Sequence, residues 1–142
     1  DLETAVIASL EDHKAQKRKV AGLGHPQHAD GDPRAHRLLA IARDLGVSGK
    51  YCEVLDLLGK HATDIIERPL PINVSGAIPA TIMDAGWPLQ ALKAVPILAR
   101  TAGLAAHLYE EANRPIGFIM SNHADLAISY DGKTQDGKEA AE

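Results

Sequence analysis

The 142-residue sequence holds one cysteine, no long apolar run and no overall excess of basic residues. A single thiol, Cys52, excludes an internal disulfide and suits a reducing, cytoplasmic setting, in which it reads as a small buried hydrophobe. No stretch approaches the roughly 18 consecutive apolar residues of a membrane span. The opening DLETAVIASLEDHKAQKRK spreads its charges throughout, unlike a secretory leader. The formal charge is −4, and the basic cluster Lys14 to Lys19 falls at one end of a helix. That pattern is no nucleic-acid footprint, which needs a basic face. Strand-like alternation is scarce as well.

What is there suits a helical domain. Hydrophobic residues make up 45% of the chain and charged residues 24%, a normal soluble balance. A first amphipathic helix is expected from Leu2 to about Lys19, with acids early and bases late, as the helix dipole favours. The loop AGLGHPQHADGD follows, and Asp32-Pro33 offers an N-cap and an N1 proline for a second helix to Leu45. Gly46 stops that helix, and Ser48 is a plausible cap for a third, running to about Arg68 with Gly59 as a candidate bend. Pro69 and Pro71 end it. A short fourth helix follows Ser75, and Gly86 with Pro88 separates it from a fifth that reaches Asn113. From Pro115 the chain reads as irregular, and residues 132–142 as a disordered tail. The fold class is therefore all-α, with about five main helices in a domain over residues 1–131.

On the fifth helix Lys93, Arg100 and His107 recur every seven residues, which places them on one stripe. Such a stripe is either the solvent face of a buried helix or a polar wall facing a ligand. The richest polar cluster is His25, His28, Asp30, Asp32 and His36. Its spacing matches no zinc pattern, and Asp32 is better used as a helix cap, so no metal is assigned. GLGH lacks the preceding strand and later glycine of a dinucleotide loop. His25, on a glycine-bordered loop, can approach a substrate and exchange a proton near neutrality. Arg34, Arg100 and Arg114 come from three segments and could converge on carboxylates, which arginine binds as a fork.

Four motifs occur in order: GLGHPQHADGDPRA, INVSGAIPATIMDAGWP, ILARTAGLAAHLYEE and NRPIG. Together they resemble the C-terminal small domain of the citrate synthase superfamily, most closely bacterial citryl-CoA lyases and citrate-lyase-like proteins, over about Asp1 to Asp131. The resemblance implies an all-helical domain that closes over a larger helical domain, with the site between them and two subunits forming a homodimer. It implies an enzyme that makes or breaks a carbon–carbon bond between acetyl-CoA and oxaloacetate. By position, His25 would bond or protonate the keto oxygen, and Arg34 and Arg100 would hold carboxylates. Arg114 would reach the neighbouring subunit's site. The coenzyme A thioester would be a substrate, not a tightly bound cofactor, with Gly24, Pro26 and His28 on the loop that meets it.

Three departures qualify this expectation. The family's catalytic aspartate falls on Ser75, whose hydroxyl is too weak a base to replace a carboxylate unaided; loss of a general base typically costs ~10²–10⁴ in rate. Asp84, nine helical residues on, lies on the opposite side. Ser75 is then expected mainly to cap the fourth helix, or to orient a substrate or water. Pro26 stands where many members have arginine, and QHADGD offers no cation to phosphate. The large domain and its histidine are missing, so the chain is expected to be part of a longer protein and inactive alone. The alternative to an enzyme is a ligand-binding or regulatory module that has kept the domain without the chemistry.

Overall fold

The computed structural model describes residues 1–129. Among these, six α-helices and one short 3-10 turn account for the regular structure. The chain divides into two compact units, Asp1–Ile97 and a second from Leu98 onward. The expected tail, 132–142, lies outside the described residues.

In the first unit, α1 spans Leu2–Ala15 and is capped by the Asp1 carboxylate, which accepts from Thr4 N–H. It ends four residues earlier than expected. Lys17 takes a left-handed φ of 53°, and Arg18 N–H returns to the His13 carbonyl, so Lys17 to Lys19 lie beyond the helix. The second helix, α2 (Pro33–Asp44), opens as expected, with Asp32 as cap and Pro33 in the first turn.

The third helix, α3 (Lys50–Ile66), runs unbroken through Gly59. Its expected cap, Ser48, is replaced by a carboxylate from far along the chain. Asp84 accepts from Gly49 N (2.8 Å), Tyr51 N (3.0 Å) and Cys52 N (2.8 Å). Burial alone would raise the Asp84 pKa, but these N–H groups outweigh it and hold the pKa below the ordinary value. The aspartate that cannot reach the place of Ser75 thus closes the end of another helix.

The fourth helix, α4 (Val74–Asp84), is capped by Asn73 and not by Ser75. The Asn73 side chain accepts from Ser75 N and Gly76 N at 2.9 and 3.3 Å. Ser75 sits two residues too deep to cap, because its own backbone is already helical. Two apolar clusters hold the unit together. Val6 and Leu10 of α1 pack on Ala62 of α3 with Leu23 and Leu70. Ala35 and Leu39 of α2 pack with Cys52, Leu55, Ala77 and Ala80 of α3 and α4. Cys52 is buried there, and that burial raises its thiol pKa, so it serves as a small core residue.

After α4 the chain makes a 3-10 turn, Leu89–Ala91, before α5 (Ala94–Asn113). Pro96 has no N–H for the Leu92 carbonyl, which explains why one helix does not run from Leu89 onward. Lys93 therefore precedes the helix, leaving Arg100 and His107 of the expected stripe on it. In the second unit the segment read as irregular contains α6 (Gly117–Ala127). Its cap comes from behind: Glu111 accepts from Ile116 N at 3.0 Å and Gly117 N at 2.9 Å. Leu104, Leu108, Phe118 and Met120 are exposed in this unit. No helix among the described residues is long and apolar enough to cross a membrane.

Candidate active site

The loop carrying His25 is stitched to the segment that leads into α4. Gly24 N–H donates to the Pro71 carbonyl (2.7 Å), and Asn73 N–H donates to that of Gly22 (3.0 Å). Leu23 and Ile72 form an isolated antiparallel bridge between them. Asn73 adds a third tie through its amide Nδ2, which donates to Gly24 O at 2.6 Å. One asparagine thus caps α4 and holds the histidine loop.

Two glycines make this approach possible. Gly22 adopts φ +85°, and a Cβ there would lie 2.8 Å from Gly76 Cα. A Cβ on Gly76 would lie 2.8 Å from the Gly22 carbonyl oxygen. Backbone packs directly on backbone, so the His25 loop lies against the first turn of α4, where Ser75 sits. Ser75 is exposed. Pro79 cannot donate to it, which leaves the Ser75 carbonyl without its usual helical partner.

The His25 ring receives donors on both sides. Its Nδ1 faces the N–H groups of Gln27 (3.1 Å) and His28 (3.2 Å). Nε2 lies 3.1 Å from Arg34 Nη2. All three neighbours can only donate, and a neutral ring accepts at one nitrogen, so the ring has two tautomers here. With the proton on Nδ1, Nε2 accepts from Arg34 Nη2. With the proton on Nε2, Nδ1 accepts from the backbone and Nε2 is a donor beside the guanidinium. The His28 ring lies beside that of His25, with centroids 4.4 Å apart.

Behind Arg34 is Asp32, fully buried. Its Oδ1 accepts from Arg34 N (3.0 Å) and Nε (2.9 Å). Its Oδ2 accepts from Arg34 Nη2 (2.9 Å) and Val74 N (2.8 Å). The hydrogen bonds from Arg34, with help from Val74 N–H, overcome burial and hold the Asp32 pKa far below the carboxylate range. Arg34, in turn, is raised by Asp32. The sequence marked Asp32 as a cap alone; its further bonds to the Arg34 side chain and to Val74 N–H were not read from it.

The histidine loop borders a cleft of about 450 Å³, lined by Lys19, Gly24, His25, Pro26, Arg68 and Leu70 among others. A neighbouring cleft shares Lys19 and Arg68 and adds His13, Lys14, Lys17 and Arg18. The cationic side chains near the histidine loop thus come from the end of α1, the residues just after it, and Arg68 after α3. Asp30 and His36, grouped with His25 in the sequence, line a different cleft with Asp56, Lys60 and Thr63. Among the described residues, no set of three or more His, Cys, Asp or Glu is arranged to hold a metal ion.

Arg100 and Arg114 belong to the second unit. Arg100 lies over Gly103, whose Cβ would come within 3.4 Å of its Nη1. Arg114 lines a cleft of about 430 Å³ with Leu104, His107, Glu111 and Met120.

Residues 2–119 match the family model described as citrate synthase, C-terminal domain, and the chain belongs to the citrate synthase family. Its fold matches the solved structure of citryl-CoA lyase from Hydrogenobacter thermophilus, with a TM-score of 0.73 and 29% sequence identity. The match covers 96% of this chain and 52% of that one, so the chain spans about half the length of the lyase.

Proposed function

We propose that the chain supplies one side of a citryl-CoA lyase-like or citrate-synthase-like site, making or breaking the carbon–carbon bond between acetyl-CoA and a keto acid such as oxaloacetate. The observation that carries this reading is the juxtaposition of His25 Nε2 and Arg34 Nη2, 3.1 Å apart. In condensation an enolate carbon attacks the keto carbon, and charge develops on the keto oxygen. With Nε2 protonated, His25 and Arg34 stabilise that charge as it forms, and the Nε2 proton passes to the oxygen. In cleavage His25 starts with Nε2 unprotonated and takes the proton of the citryl hydroxyl, and the bond electrons pass to the thioester enolate. The enolate carbon then takes a proton from water, and the hydroxide left takes back the proton held by His25. Ser75 has no carboxylate for that transfer, so it positions a water or the substrate.

The coenzyme A thioester is a substrate here. Gly24 and Pro26 border the cleft for its reactive arm, with His28 beside His25, while Lys17, Lys19 and Arg68 offer charge to its phosphates. Arg100 and Arg114 are the further carboxylate ligands, Arg114 for a neighbouring subunit. The partners in this reading are a large helical domain and a second copy of the chain, in the cytoplasm. They would cover the exposed apolar residues of α5 and α6.

A second reading, a binding or regulatory module without turnover, is favoured by Ser75 alone. Calorimetry with citrate and oxaloacetate, on the chain and on its Arg34→Ala variant, tests the shared premise of a polycarboxylate site. Incubating the native polypeptide with citryl-CoA, or with acetyl-CoA and oxaloacetate, then separates the two readings. Release of acetyl-CoA supports the enzyme, binding without turnover supports the module, and no binding refutes both.

A further inference from the structure

Capping α2 requires one acceptor, and Asp32 provides it to Arg34 N. The carboxylate makes three more bonds that capping does not require. Two form a side-on fork with Arg34 Nε and Nη2, and one fixes Val74 N–H, next to Ser75. Arg34 is otherwise an exposed, long side chain with many rotamers. With Nε and one Nη2 hydrogen taken by Asp32, the other Nη2 hydrogen faces His25 Nε2, and the Nη1 hydrogens form the open edge. The same buried group therefore registers the arginine of α2 against both the histidine loop and the first turn of α4.

We infer that Asp32 is a positioning residue for the proposed site, fixing Arg34 so that Nη2 faces His25 Nε2 and the Nη1 edge stays open to substrate, without itself touching substrate. The inference rests on the reading given under Proposed function. It acts through Arg34, and that is what distinguishes it from a structural aspartate. Asp32→Ser keeps an acceptor for the cap but removes the fork, so the two roles separate.

The test uses the full chain with ¹⁵N-labelled arginine. In the wild type the Arg34 Nε–H should give a resonance protected from exchange, and Asp32→Ser should lose that protection. Citrate binding, read by calorimetry, should weaken about tenfold or more, as for a lost charged hydrogen bond. In an Arg34→Ala background the same Asp32→Ser change should have no further effect on binding. An equal loss in both backgrounds, or an unchanged Arg34 resonance with unchanged binding, overturns the inference. If the wild type binds no citrate, the functional reading fails and the Arg34 resonance alone decides the positioning role: retained protection in Asp32→Ser refutes it. Should Asp32→Ser not fold, Asp32→Asn, which keeps the cap oxygen but not the charge, carries the same comparison.

Discussion

Replacing Gly76 with alanine sets two effects of known sign against each other. Alanine is favoured over glycine in a helix interior by about 1 kcal/mol, and α4 should gain up to that amount. Against this, the new Cβ would lie 2.8 Å from the Gly22 carbonyl oxygen, 3.0 Å from Gly22 Cα and 3.0 Å from Leu55 Cδ1. The leucine methyl can rotate away. Gly22 cannot, because its carbonyl accepts from Asn73 N–H and its own φ is +85°. Overpacking against fixed atoms costs about 1–3 kcal/mol. The clash should win by about 1 kcal/mol, and thermal unfolding should drop by roughly 4–8 °C for a unit of this size. The His25 backbone resonances should shift with it, since the clash pushes on its loop. Gly46→Ala is the control: it has φ +68° and nothing within 4 Å, so its cost is backbone strain and His25 should not respond. An unchanged or raised melting temperature for Gly76→Ala would refute the claim that backbone contact at Gly22 sets the loop's position.

Other changes test other parts of the structure. Asp84→Ala removes the acceptor of three N–H groups at the head of α3 and should cost about 1.5–3 kcal/mol at neutral pH by chemical denaturation. Because the folded pKa of Asp84 lies below its unfolded value, the stabilisation is present above about pH 4 and fades as pH falls through the folded pKa, so variant and wild type should converge in acid. Ser75→Asp puts a carboxylate in the first turn of α4, where the helix dipole favours it. The melting temperature should not fall, and turnover of citryl-CoA by the native polypeptide should rise, by up to ~10²-fold if proton transfer at carbon is limiting. Lys19→Gln with Arg68→Gln should weaken coenzyme A binding and flatten its salt dependence while leaving citrate binding intact; equal loss of both would place the phosphates elsewhere.

Helices were legible where the signals are local. Asp32-Pro33 marked the start of α2 because cap and N1 proline are adjacent, and the apolar spacing of α3 carried that helix across Gly59. The failures share one cause, which is that the partner lies elsewhere in the chain. Ser48 looked like the cap of α3 because serine is a good cap, but a charged carboxylate accepting three N–H groups from 35 residues away outcompetes one hydroxyl. The start of α6 was hidden for the same reason. Ile116 cannot cap, and Gly117 is a poor helix former, yet Glu111 accepts from both N–H groups from the preceding helix.

At the candidate site, His25 and Arg34 were readable from a motif, whereas what makes them a pair was not. Beside Asp32, three residues with no chemistry of their own make the pair. Gly22 and Gly76 let two backbones touch, and the short Asn73 side chain both accepts and donates, so it can cap α4 while binding Gly24 O. An aspartate at 73 would cap equally well but could not donate to the Gly24 carbonyl, and its charge would face that oxygen at close range. Asn73→Asp is therefore expected to spare the helix and loosen the loop, giving exchange broadening at His25 with little loss of helical circular dichroism. A variant in which His25 stayed sharp would mean that the Gly22–Gly76 contact holds the loop without the asparagine.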